Sequence, residues 1–349
     1  MKKTSYILLL FAGMILSLAG CQKGDGVKYG KEVRFKAASA IPTTRTSYSG
    51  VDVPAGDQKW ERIDWVEGEE ILIWSDNAVN RYSDAHHAVY QVKDVHDDGK
   101  LSKASLTNAP GTNGLVYVSG TDNYSFWGIS PKTTGTPEAG KASFEIKAAQ
   151  QPAGTGLLEN HVTTFPVDMS NAWLVAAVEG ASEGQNVEIP FYPAFTAFEF
   201  TLEGDKEYTG NITLQKLELI SDTQLAGSVV ATLAPNGAST YACTANANPV
   251  YTFPGSTVVS QSEKVVFTMF ALPQDIVGLK LKVYANVENE DVTFTGTLKK
   301  NNQPITFDKC KKYRIKGVAV PGNLWKIFYQ PDLSVDEWVA VDDILIPFE

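Results

Sequence analysis

The chain has 349 residues and carries 40 acidic against 30 basic side chains, a formal net charge of −10. An acidic, mixed-charge surface argues against nucleic acid as a partner and suits a solvated extracellular protein. It holds only three cysteines, too few for a disulfide scaffold.

The first element is apolar. Lys2 and Lys3 lead into "YILLLFAGMILSLAG", a run too short and too near the terminus for a membrane-spanning helix. It ends in Leu18-Ala19-Gly20-Cys21, the lipobox pattern of bacterial lipoproteins. Residues 1–20 are therefore expected to be a signal peptide, with Cys21 receiving a diacylglycerol and, once its amine is free, a further acyl chain such as palmitate. Two or three chains anchor stably where one does not. The "QKGDG" that follows is similar to the short acidic export signal of surface lipoproteins in Bacteroidetes. No other apolar stretch is long enough to span a membrane.

Beyond Cys21, short alternating or apolar runs recur between Gly, Pro, Asn and Asp: "VRFKA" (33–37), "EILIW" (70–74), "AVYQV" (88–92), "YSFWGI" (124–129), "SFEIKA" (143–148), "KVVFTMFAL" (264–272), "LKLKVYANV" (279–287) and "YRIKGVAV" (313–320) are examples. Leu279, Leu281 and Val283 against Lys280 and Lys282 show the period of two that a sheet wet on one face requires. Many short strands at regular spacing predict an all-β chain of antiparallel β-sandwiches. About 330 residues remain after the signal peptide, more than one growing core accommodates, so two domains are expected. The polar, Gly-rich "EGASEGQN" (179–186), a linker or a long hairpin, sets the expected division: a pro-segment with the first strand at 21–45, one sandwich at 46–185, a second at 186–320, and a tail at 321–349. "YSFWGISPKTTG" and "VVFTMFALPQDIVG" echo each other as aromatic strands running into Pro.

Catalytic and metal signatures are scarce. GxSxG, HExxH, CxxC, GxGxxG and the P-loop do not occur. His86 and His87 precede a strand on which neighbours face opposite sides, so they do not converge on one metal; His96 and His161 stand apart. "DVHDDGK" (94–100) has the oxygens of a calcium loop without its spacing or closing Glu, and reads as a hairpin turn. "EGEE" (67–70) is the densest acidic run, placed on a solvated rim. Neither catalytic residue, metal nor cofactor is expected. Cys243 and Cys310 fit either one bridge or two buried thiols. Arg45, within "SAIPTTRTSYSG" (39–50), fits either a loop cation or a cleavage site, because flexible polar segments are where proteolysis concentrates. Arg62 competes with it; Arg34, inside a strand-like run, is a poorer substrate.

The order of these elements resembles the fimbrillin family of Bacteroidales pilus subunits. The lipobox, the first strand with its Thr/Ser segment around Arg45, and "IDWVEGEEILIW" (63–74) are similar to that family's opening. "FWGISPKT" (126–133) and "FEIKAAQQPAGTGLLENHV" (144–162) resemble its aromatic-x-x-x-Pro and Ile-x-x-x-Gln elements. "VEIPFYPAFTAFEFTL" (187–202) resembles a third, with Pro193 where a histidine is often found. "ALPQ" (271–274), the 279–298 hairpin and "FDKCKKYRIKGVAV" (307–320) resemble its closing hairpins. The resemblance implies two transthyretin-like β-sandwich domains carried to the outer membrane and cell surface as a lipoprotein. It implies an Arg-specific surface protease cutting after Arg45, or after Arg62, and releasing the first strand with its lipid. It further implies polymerisation with other pilus subunits into a fimbrium, a stalk role, and strand donation by a neighbour's tail through Ile344, Ile346 and Phe348. Trp338 to Val341 supply a preceding strand, unless the tail is instead the last hairpin of its own domain.

A second reading is a permanently lipidated adhesin or glycan-binding lipoprotein, with Trp60, Trp65, Trp74, Trp127, Trp173, Trp325 and Trp338 as stacking platforms. A third, a sandwich hydrolase, needs a carboxylate pair that no acidic run singles out.

Overall fold

The computed structural model describes residues 29–39, 47–55, 58–97, 102–134, 137–300, 303–320 and 334–339. They are strands and loops, with 3-10 turns at Met169–Asn171 and Pro235–Gly237. The all-β expectation holds. Alternation explains it: on Lys280–Val287, Leu281 and Val283 are buried while Lys280 is exposed, and neighbouring strands repeat the pattern.

Seven of the described strands close into a barrel. In order they are Tyr124–Ser130, Leu174–Ala181, Asn186–Pro193, Arg34–Ser39, Ser102–Asn108, His87–Asp97 and Glu70–Ser75, which pairs back onto Tyr124–Ser130. The Gly-rich 179–186 stretch is the turn of a hairpin, and both of its arms are barrel strands. Gly128 lets the barrel close tightly, since a Cβ there would lie 2.8 Å from Cζ of Phe191. Phe35, Tyr90, Phe126, Trp65 and Phe191 fill the interior with edge-to-face rings.

A second core lies between two larger sheets. One orders Ala149–Gln150, Val250–Thr252, Ile212–Ile220, Lys280–Val287 and Glu290–Thr297, with Val258–Val259 also on Ile212–Ile220. The other orders Leu157–Glu159, Val162–Thr164, Lys264–Ala271, Thr196–Gly204, Lys312–Val320 and Ser334–Val339. Phe198, Phe200, Tyr251, Phe253 and Phe267 pack between them. The cores change over along Thr196–Gly204, where Ala197 belongs to the barrel and Phe198 to the second core. The two echoing aromatic strands, Tyr124–Ser130 and Lys264–Ala271, are each interior to their own sheet.

One part of the expectation is corrected. The sheets are mixed, not purely antiparallel: Arg34–Ser39 runs parallel to Asn186–Pro193, and three further pairings are parallel. Alternation reports which face a residue takes and carries no information on a partner's direction.

Gln150, of the Ile-x-x-x-Gln element, has a structural task. Its amide nitrogen donates to the carbonyls of Phe270 (2.8 Å) and Lys147 (3.1 Å), and its Oε1 accepts from the Phe270 N–H (2.9 Å). The side chain is 5% exposed and ties the 147–150 segment to a strand shared by both cores. Gln150→Leu should destabilise the fold by about 2–3 kcal/mol, because Phe270 then keeps a buried donor and acceptor unpaired. Chemical denaturation checks this, and a shift no larger than that of an exposed-site control such as Thr293→Ala would refute it.

Candidate functional site

The site is built on the first strand. Val33, Phe35 and Ala37 point inward at 1–2% exposure, while Arg34 and Lys36 face solvent. Both backbone edges are used: Phe35 and Ala37 pair with Val187 and Ile189 on one side, and with Leu106 and Ala104 on the other. The Phe35 ring stands 5.1 Å from both Tyr90 and Phe126. Just before it, Tyr29–Glu32 pairs with Leu115–Val118, and the Val33 N–H donates to the Leu115 carbonyl (2.9 Å). Glu32 accepts from the Asn108 amide (2.8 Å) and the Tyr29 hydroxyl donates to Asp84 (2.9 Å). A groove of about 430 Å³ runs beside Phe35, along Tyr90, Leu106 and Asn186.

Removing this strand would leave a slot through the barrel wall, lined by two unpaired ladders and three apolar positions at a spacing of two. Orphaned backbone groups and exposed core make such a slot a strong acceptor for another strand.

Arg45 lies outside the described residues, as does Cys21. Arg62 lies in Gln58–Asp64, which forms a two-stranded hairpin with Ser47–Ala55. It falls at the hairpin's irregularity, between the pairs Tyr48–Ile63 and Asp52–Glu61. Among the described strands this hairpin joins neither the barrel nor the other sheets, and an isolated two-stranded hairpin has marginal stability, so it offers little resistance to a protease. Cleavage after either arginine severs the same covalent link between the first strand and the remaining barrel.

At the other end, Ser334–Val339 pairs antiparallel with Lys312–Val320, matching Ile315 with Trp338 and Val318 with Val335. The tail therefore begins as an edge strand on its own chain's second sheet. Ile344, Ile346 and Phe348 lie outside the described residues.

The other candidates separate. His86, His96 and His161 are exposed and His87 is half-buried; no cluster of metal-ligating side chains forms among the described residues. His161 contacts Glu263 at 2.8 Å. Asp94 to Asp97 end the strand His87–Asp97, which pairs antiparallel with Ser102–Asn108 through Asp97 and Ser102; 98–100 lie outside the described residues. Trp65, Trp74 and Trp127 are core residues without a stacking face for a sugar, and Trp173 is half-buried with its ring stacked on Phe144. Trp60, Trp325 and Trp338 have side chains outside the described set.

Cys243 and Cys310 are free thiols. Burial pushes the Cys310 thiol up to about 12, and burial raises Cys243 as well. Both stay protonated near neutral pH, and thiolate is the reactive form. Alkylation at pH 8 should be slow in the folded chain and rapid on unfolding, as mass spectrometry would read. Because the Cys310 value is raised on folding, its contribution to stability is intact below the ordinary value of 9.0 and is lost as the pH climbs towards about 12.

Sequence reasoning placed the first strand but missed both its place in the barrel wall and the lone hairpin that follows. Alternation in "VRFKA" was the signal for the first; for the second, the Gly and Pro within "SYSGVDVPAGDQKW" marked only turns.

No protein-family model matches the chain, and no curated protein matches it. Solved structures do. A Bacteroides uniformis protein provisionally assigned to cell adhesion aligns at 12% identity and a TM-score of 0.49, covering 89% of this chain and 98% of that one. A fimbrial assembly protein from Parabacteroides distasonis aligns at 10% identity and a TM-score of 0.44, covering 88% and 98%. The tip fimbrial protein Mfa3 from Porphyromonas gingivalis, C-terminally truncated, aligns at 7% identity and a TM-score of 0.35, covering 82% and 96%.

Proposed function

We propose that this chain is a structural subunit of a surface fimbria. In this reading it is exported to the outer membrane as a lipoprotein on Cys21 and matured by an Arg-specific protease acting after Arg45. It then polymerises by strand exchange as a stalk subunit that supports adhesion. The observation that carries the reading is the position of Arg34–Ser39, buried on one face and hydrogen-bonded on both edges, ahead of two candidate cleavage sites. The inward positions Val33, just before the strand, and Phe35 and Ala37 on it match in number and spacing the apolar set Ile344, Ile346 and Phe348 of the tail. A strand from a neighbouring subunit would restore both ladders and refill the slot.

The test is limited digestion of the chain from Gln22 onward with an Arg-specific protease, followed by N-terminal sequencing and a non-denaturing gel. The expected result is one new terminus at Thr46, or at Ile63, together with a ladder of oligomers. Deletion of the tail after Val320 should abolish the ladder. A chain that resists cleavage there, or is cut and stays monomeric, would overturn the reading.

A further inference from the structure

The three-stranded sheet Lys141–Ile146, Ala226–Thr232, Thr240–Ala247 lies against the barrel core and, among the described residues, ends in an unpaired edge, Thr240–Ala247. Sheet edges are templates for foreign strands, and proteins blunt them with charges, prolines or very short lengths. The other described edge strands longer than two residues follow that rule: Lys31 and Glu32, Lys141 and Glu145, Glu159, Glu290 and Asp291, or Asp336 and Glu337 lie on them, and Asp52 and Lys59 lie on the lone hairpin. Thr240–Ala247, "TYACTANA", has no charge and no proline over eight residues. Its only irregularity is at the far end, beyond Ala245.

Both faces of this edge are prepared. Thr240, Ala242 and Thr244 are exposed, and Val230, which pairs with Ala242, is 43% exposed beside them. Tyr241, Cys243 and Ala245 turn towards the barrel core and are half-buried, and no further strand among the described residues pairs beside them. Beyond its ladder with Ala226–Thr232, the strand's one backbone bond among the described residues runs from Leu225 N–H to the Ala247 carbonyl.

We propose that this edge pairs antiparallel with the same edge of a second copy of the chain, joining two three-stranded sheets into one of six. Directly opposed residues must share a face, so the two-fold axis passes midway between one residue and its own copy. Centred on Cys243, it sets Ala242 against Thr244 and Tyr241 against Ala245, pairs without charge and with at least one small member. The occupant follows from charge: at a net −10, most of this surface repels a second copy, whereas this uncharged strand does not. Each strand's half-buried row would then cover the other's. This interface is separate from the strand-exchange slot and does not rest on it.

Sedimentation equilibrium of the uncut chain from Gln22 onward isolates the edge, because the first strand still fills the barrel. A reversible dimer is expected in the micromolar range. Ala242→Lys and Thr244→Lys should each weaken it about tenfold or more, with Thr293→Lys on the charged Glu290–Thr297 edge leaving it unchanged. Amide exchange at 240–245 should slow as concentration rises, a readout that needs no variant. A monomer at every concentration, or a dimer indifferent to both lysines, would overturn the proposal. So would a dimer abolished by Ile346→Asp, since the edge would then be receiving a tail.

Discussion

Phe35→Ala is expected to destabilise the uncut chain by about 3–5 kcal/mol, the loss typical of removing a buried phenyl ring. The ring is 2% exposed and stands edge-on to both Tyr90 and Phe126 at 5.1 Å. Its neighbours are held in place. Tyr90 accepts a hydrogen bond from the Leu115 N–H (2.8 Å), and Phe126 sits on a strand paired on both edges. The barrel therefore has little freedom to collapse into the vacated space. Thermal unfolding followed by tryptophan fluorescence reports on this region, because Trp65, Trp74 and Trp127 share its core. The same substitution should leave the assembled polymer as stable as wild type, because in the proposed maturation Phe35 departs with the first strand. An equal loss in both forms would mean that the strand stays in place after cleavage, and strand exchange would fail as a mechanism.

Ile346→Asp should abolish the oligomer ladder of the cut chain, while Leu345→Asp should leave most of it. The two positions are adjacent, and on a strand adjacent side chains face opposite ways. If the tail fills the slot left by Val33, Phe35 and Ala37, an aspartate at 346 is buried against Leu106, Ile189 and Tyr90 without a counter-charge. A penalty of about 3 kcal/mol or more lowers the exchange equilibrium by on the order of 100-fold. At 345 the carboxylate stays in water. Quantifying the ladder for both variants after complete cleavage decides the matter. If both abolish it, the tail acts through general hydrophobicity; if neither does, the donor lies elsewhere in the chain.

These two experiments mark how far local pattern reaches. The all-β class and the run at 33–37 were legible because alternation is a local property of the chain. The inward set of the first strand was equally legible, since Val33, Phe35 and Ala37 share one parity. The candidate site was legible only in outline, as an arginine following a strand.

Which strand lies beside which was decided by the tertiary structure. Val187 and Leu106 flank Phe35 from distant parts of the chain, one parallel and one antiparallel, and nothing in "VRFKA" encodes either partner or either direction. The bond from Gln150 to Phe270 spans 120 residues. The 179–186 stretch shows the same limit, since a Gly-rich polar run serves equally as a linker or as the turn between two barrel strands. The missing charge on Thr240–Ala247 was visible in the sequence, yet it acquired meaning only once that strand proved to be an edge. Side-chain parity follows from backbone geometry and is written residue by residue, whereas strand order follows from closing every ladder and filling every interior position at once, a condition that only the whole folded chain satisfies.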